Sequence, residues 1–208
     1  MLETQNIKFS YDRAQPLTFP NIHCRKGEQW LLLGQSGSGK TTLLHLLGGM
    51  LTPQSGRIQV GNTDIAQLKS TDLDHFRGQN IGIIFQTAHF IKALTVEENL
   101  LLAQQLAGKK ADKELILKYL SKLNLSHKLK SKPSELSVGE QQRVAIARAL
   151  VNTPSVILAD EPTSALDDKN TEEVIRLLEN QAAEAGATLL IVTHDTRLKD
   201  YFKNQILL

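Results

Sequence analysis

A single cysteine, Cys24, is all the thiol chemistry this chain holds, which excludes an internal disulfide framework. Between His23 and Arg25 it has two readings, a reactive thiol or a small residue half-buried on a strand. The second is favoured, because buried cysteine behaves as a small hydrophobe. No run approaches the roughly 18 apolar residues of a membrane span, and Met1–Ser10 lacks the apolar centre of a secretory leader. The expectation is a cytoplasmic protein, so that any membrane role must come through a partner. Charge of one sign is scarce too. Lys and Arg number 24 against 22 Asp and Glu, a formal +2, so composition makes no electrostatic case for nucleic acid. No block of five or six like charges occurs; Lys128, Lys130 and Lys132 form a short basic run that reads as solvated surface. Neither an internal repeat nor a low-complexity tract is present.

What is there is an ordinary globular balance, 41% hydrophobic and 22% charged over 208 residues, enough for one large domain or a domain carrying an inserted lobe. Short alternating runs open the chain: Ile7, Phe9 and Tyr11, then Leu17 and Phe19, then Ile22 and Cys24, each with strand period. Residues 29–33 are nearly all apolar, as in a strand covered on both faces. The pattern then predicts a buried helix over 41–47 stopped by Gly48-Gly49, and strands over 57–60 and 81–86. From Thr87 to about Ser134 leucines recur at helical spacing without a strand signal, so 87–135 is expected to be a helical lobe inserted into a single domain spanning 1–208. A helix is expected from Ser137 to about Asn152, a buried strand over 155–160, an amphipathic helix over 168–185 closed by Gly186, and a buried strand over 188–193. Strands alternating with helices predict an α/β fold, a mostly parallel sheet with helices on both faces.

Three segments carry chemistry. Gly34-Gln35-Ser36-Gly37-Ser38-Gly39-Lys40-Thr41 follows one predicted strand and opens a helix, the setting of a phosphate loop. Polyphosphate is bulky and anionic, so the backbone must approach it closely. Glycines at 34, 37 and 39 allow that, successive N–H groups turn inward, and the helix offers its positive end. Lys40 is expected to reach the β- and γ-phosphates and the Thr41 hydroxyl to bind Mg²⁺. Asp160, ending the buried strand Val156-Ile157-Leu158-Ala159-Asp160, is placed to hold a water on Mg²⁺. Glu161 is the candidate general base, with a helix-initiating acid as its structural alternative.

The third segment is Leu136-Ser137-Val138-Gly139-Glu140. Ser137-x-x-Glu140 before an apolar run is a capping box. A capped helix start is also an anion site, and Gly139 permits close approach, so Ser137 and the neighbouring N–H groups can meet a γ-phosphate. Because the segment belongs with the helical lobe, that phosphate is expected to be held by a second copy.

Together these segments resemble the ATP-binding-cassette (ABC) ATPase family, whose order is aromatic, phosphate loop, glutamine loop, signature, acidic strand, D-loop, histidine. The matching residues are Tyr11, Gly34 to Thr42, Gln86, Leu136 to Gln142, Val156 to Glu161, Ser164 to Asp167 and His194, and the likeness covers essentially the whole chain. The resemblance implies a P-loop NTPase core with an N-terminal antiparallel strand layer, and ATP and Mg²⁺ as cofactors. It implies that Tyr11 stacks on adenine and that Gln86 contacts Mg²⁺ and the attacking water while hinging the lobe. Ser137, Gly139 and Glu140 would grip nucleotide across a head-to-tail homodimer, with Asp167 at its seam, and His194 would contact the γ-phosphate and orient the water. Alone, each reads more blandly: a packed tyrosine, a strand-end glutamine, an N-cap aspartate, a satisfied histidine. The other five histidines lack metal-ligand spacing, and His45 reads as packing. One departure is Val138, where the family usually has glycine. A β-branched residue at the first helical position fits helical geometry, so activity is expected to survive.

Thr42 to Gly49, Gly82 to Gln86 and Gln142 to Leu150 further resemble the lipoprotein-release and macrolide-export branch (LolD and MacB type), with the cell-division ATPase FtsE as a close relative. That implies membrane-spanning transporter subunits as partners, a place at the inner face of the cell membrane, and no direct nucleic acid. Ala88-His89-Phe90-Ile91 and Leu94 are either lobe core or the wall of a groove for a partner helix. The competing class is a soluble ABC ATPase acting on nucleic acid or ribosomes. Lys40 and Leu136 stand 96 residues apart without sustained heptads, which disfavours the coiled-coil DNA-repair type.

Overall fold

Two sheets organise the chain in the computed structural model, which describes residues 1–11, 15–164 and 168–208. The first is antiparallel. Its centre is β1 (Leu2–Phe9), paired with β2 (Leu17–Thr18), β3 (His23–Cys24) and β5 (Ser55–Val60), which in turn pairs with β6 (Thr63–Asp64). The second joins β4 (Gln29–Leu33), β7 (Ile81–Ile84), β8 (Val156–Asp160), β9 (Thr188–Thr193) and β10 (Asn204–Leu207) in the order β10-β4-β9-β8-β7, every pair parallel.

Strand side chains alternate, so the parallel sheet serves two cores. Leu31, Leu33, Ile157, Ala159, Leu189 and Ile191 pack on one face, with α5 (Val138–Leu150) and α6 (Asp168–Ala185). Leu32, Val156, Leu158, Leu190 and Val192 pack on the other, with α1 (Lys40–Leu47) and the antiparallel sheet. Each such aliphatic, buried almost completely, contributes roughly 1.5–3 kcal/mol. Cover on both faces is why these strands read as continuous apolar runs. Residues 87–135 contain α3 (Val96–Leu106), α4 (Lys113–Lys122) and 3₁₀ turns but no strand. Val96, Leu100, Ile116 and Leu120 join the core of the first face.

The predicted strand at 29–33, the helix at 168–185 and the strand at 188–193 coincide with β4, α6 and β9. Differences are local. The strand at 81 stops at Ile84, so Phe85 and Gln86 leave the sheet, and β1 ends at Phe9, so Tyr11 stands beyond it. The pattern missed α2 (Ser70–Asn80), β6 and β10. Helix α2 has no fully buried residue, hence no apolar stripe to read, and β10 alternates between half-buried and exposed residues. Cys24 is wholly buried rather than half-buried, and burial pushes its thiol pKa up to about 12. The reactive reading is thereby excluded. No helix among the described residues is long and apolar enough to cross a membrane.

Candidate functional site

In a parallel sheet all carboxyl ends lie on one edge, where crevices form. Four strands end there in succession, and each releases part of the site. Strand β4 runs into the glycine loop at 34–39, β7 into Gln86, β8 into Glu161 and β9 into His194. Tyr11, Ser36, Gly37, Gly39, Lys40, Thr41, Thr42, Gln86, Glu161 and His194 line one cleft of about 540 Å³. Leu17 completes the lining; nothing in its local sequence signalled a role.

The loop is shaped by its glycines. Gly37 and Gly39 have φ of 82° and 94°, in the left-handed region that side chains disfavour. At Gly34 a β-carbon would lie 2.6 Å from Ser38 Oγ and 2.9 Å from the Leu208 carbonyl. Lys40, only 7% exposed, donates from Nζ to the Gly34 and Gln35 carbonyls, 2.9 Å each. This fixes its ammonium at the loop. Tyr11 is half exposed, packs edge-on against Phe9 with ring centroids 4.7 Å apart, and shares a 3.2 Å hydrogen bond with the Thr42 hydroxyl. Its ring is held at the rim with one edge anchored.

Asp160 is 6% exposed and its Oδ1 has no partner among the described residues. Burial raises its carboxyl above the ordinary aspartate range, and a hydrogen bond from Thr41 opposes the rise. A buried carboxylate oxygen left unpaired is costly unless a cation or its water approaches. With the Thr41 hydroxyl alongside, this donor set suits a hard, oxygen-seeking ion.

Glu161 has φ of 47°, a backbone costing on the order of 1–3 kcal/mol for such a residue. Its N–H donates to the Val192 carbonyl at 2.8 Å, and both carboxylate oxygens are engaged. Oε2 accepts from the Thr193 hydroxyl at 2.7 Å; Oε1 accepts from the His194 N–H at 3.1 Å and lies 2.7 Å from His194 Nδ1. The sequence reading missed Thr193, although it precedes His194 directly. Gln86 Nε2 donates to Ser164 Oγ at 3.0 Å, joining the strand-end glutamine to the segment after Glu161. Asp167 lies outside the described residues.

Ser137, Gly139 and Glu140 are not in this cleft. The capping box is formed: Ser137 Oγ accepts from the Glu140 N–H at 3.3 Å and Glu140 Oε2 from the Ser137 N–H at 2.8 Å. Ser137 and Gly139 border a different hollow, shared with Arg143 and Leu177. Among the described residues, a β-carbon at Gly139 would meet only Arg143 Nη1, at 3.7 Å. Val138 is 69% exposed at the first helical position. Phe90 packs at the margin of the core beneath the Arg148 guanidinium, 4.7 Å from its ring centroid, whereas Ile91 is 49% exposed.

Residues 17–164 match the profile of the ABC transporter family. The chain belongs to that family. It is accordingly an ABC ATPase with ATP and Mg²⁺ as cofactors. It is 41% identical over 207 residues to the lipoprotein-releasing system ATP-binding protein LolD of Geobacter metallireducens, covering 97% of this chain and 92% of that protein. Identity to the LolD of Bacteroides thetaiotaomicron is 38% over 200 residues, 95% of this chain and 92% of that one. Among solved structures, the dimeric ABC transporter cassette MJ0796 superposes with a TM-score of 0.89 at 34% identity, covering 100% of this chain and 94% of that one. The same score relates it to the post-hydrolysis state of MJ0796 bound to ADP and Pi.

Proposed function

We propose that this ABC ATPase is the ATP-hydrolysing subunit of a lipoprotein-release-type system, in which two copies close head to tail on ATP and the closure moves membrane-spanning subunits. One observation carries the reading. The chain holds a phosphate cleft and, apart from it, a capped helix start with a glycine that no packing among the described residues requires. The second feature completes the first only if it is lent to another copy. The 34% likeness to a dimeric cassette and the LolD relatives support this.

In this reading Tyr11 stacks on the adenine. The loop N–H groups from Gly34 to Thr42 and Lys40 hold the phosphates. Ser137, Gly139 and Glu140 of the other copy close over the γ-phosphate, and Asp167 lies at the seam. Thr41, Asp160 and Gln86 would hold the Mg²⁺, which would supply positive charge to the phosphoryl oxygens. Glu161 accepts the proton of the attacking water and His194 orients the pair. For Glu161 to do so, one of its oxygens must exchange a protein partner for water. The hydrogen bonds from Thr193 and His194 fix where that oxygen waits.

Residues 87–135 form the lobe that swings with nucleotide, hinged at Gln86. The membrane subunit docks in the hollow of about 540 Å³ lined by Met50, Phe85, Leu106 and Arg148. A helix with an apolar face fits there, since Leu106 is 71% and Met50 36% exposed. The chain thus sits at the inner face of the cell membrane without entering it. Purification of the tagged chain from membranes, with turnover measured alone and with its companions, tests the assignment. Membrane subunits that stimulate hydrolysis are expected. Full-speed turnover by a strictly monomeric chain, unaffected by Ser137→Ala, would reject it.

A further inference from the structure

The start of α5 carries an electrostatic contradiction. Its positive end is where an approaching phosphate gains most, yet a full carboxylate, Glu140, is folded back over it to cap the Ser137 N–H at 2.8 Å. A helix end is worth about half a positive charge; an uncompensated glutamate beside it leaves the end net negative. Glu140 is held ionised, its pKa lowered first by the Ser137 N–H and further by Lys128.

The other carboxylate oxygen, Oε1, lies 3.2 Å from Lys128 Nζ, with the two side chains 18% and 25% exposed. Lys128 is not a freely moving surface lysine. It closes the 3₁₀ turn Ser126–Lys128, where its N–H donates to the Leu125 carbonyl at 2.9 Å and its own carbonyl accepts from Ser131 at 3.0 Å. Leu125 is 1% exposed and Leu129 packs on the same core, so the root of the side chain is anchored. Lys130 pairs with Glu97, and of the three lysines in the basic run it is Lys128 whose ammonium pairs with Glu140.

We propose that Lys128 is a positioning residue for the terminal phosphate: by clamping and neutralising Glu140 it keeps the α5 start receptive to the other copy's triphosphate. This rests on the reading that Ser137 and α5 cap that nucleotide. Lys128 acts through Glu140 and touches no reacting atom.

Steady-state turnover against ATP concentration, at low and high salt, tests it. Lys128→Met is expected to raise half-saturating ATP roughly three- to tenfold at low salt, with kcat within about twofold. Lys128→Arg should restore most of the loss, and added salt should shrink it as the exposed part of the field is screened. In a Glu140→Gln background the same Lys128→Met change should have no effect. The melting temperature of the nucleotide-free chain separates a structural role. If Lys128→Met lowers it while half-saturation stays put, or if half-saturation shifts equally in both backgrounds, the proposal is overturned. A Ser137→Ala control distinguishes the failures. Should Ser137→Ala impair turnover while Lys128→Met does not, only the Lys128 role falls; should neither matter, the capping reading falls with it.

Discussion

Glu161 and His194 meet at one oxygen: Glu161 Oε1 accepts the His194 backbone N–H at 3.1 Å and lies 2.7 Å from the His194 Nδ1 atom. Carboxylate and imidazole are thus placed as a unit, although 32 residues separate them in sequence. Substituting either should cost turnover without loosening nucleotide. For Glu161→Gln the expected fall in kcat is on the order of a hundredfold or more, with an ATP-bound dimer accumulating on a sizing column. Wild-type turnover in that variant would remove Glu161 as the base.

Asp160 offers a stability test with a definite sign. Burial raises its folded pKa above the unfolded value, so the fold binds its proton more tightly than the unfolded chain does. The nucleotide-free protein therefore loses stability as pH rises from the ordinary aspartate pKa through the raised one, and does not regain it above. Asp160→Asn removes that loss. At neutral pH the variant is expected to melt no lower than wild type alone, yet to gain nothing further when Mg²⁺ is added to ATP. Thermal melts across pH, with and without the ion, decide this.

Phe90 and Leu106 should separate core from docking surface. Phe90 is half-buried under Arg148, so Phe90→Glu is expected to destabilise the chain by roughly 1–3 kcal/mol. Leu106 stands 71% exposed in the proposed groove. Leu106→Glu should shift stability by no more than about 0.5 kcal/mol and leave isolated turnover intact, while abolishing stimulation by the membrane subunit. Denaturant melts and assays with and without the partner would show the split.

Val138 projects from the α5 start, where the partner's nucleotide is expected. Val138→Gly should lower helix stability by no more than about 0.5 kcal/mol at an end position. Its effect should fall on half-saturating ATP or on dimer formation rather than on kcat. Unchanged kinetics would make the position neutral.

Cys24 is buried with its thiol pKa near 12. A disulfide-exchange reagent should fail to label it in the folded chain at mildly alkaline pH, and label it fully in denaturant. Rapid labelling of the native chain would contradict its burial.

Local patterns settled much in advance. The glycines at 34, 37 and 39, the capping box at Ser137 and Glu140, and the apolar runs of β4, β8 and β9 each state their conformation within a few residues, because steric freedom, capping and burial on both faces act locally. What sequence could not convey was α2, whose side chains are never fully buried, or the role of Thr193, which depends on Glu161 arriving from another strand. The order β10-β4-β9-β8-β7 is decided only by packing, and that order brings Lys40, Gln86, Glu161 and His194 to one edge. Local residue patterns mark which segments carry phosphate and acid chemistry. Tertiary structure alone decided that they share a cleft and that Ser137 stands apart from it, because the meeting of distant strand ends is a property of sheet order, which no local spacing encodes.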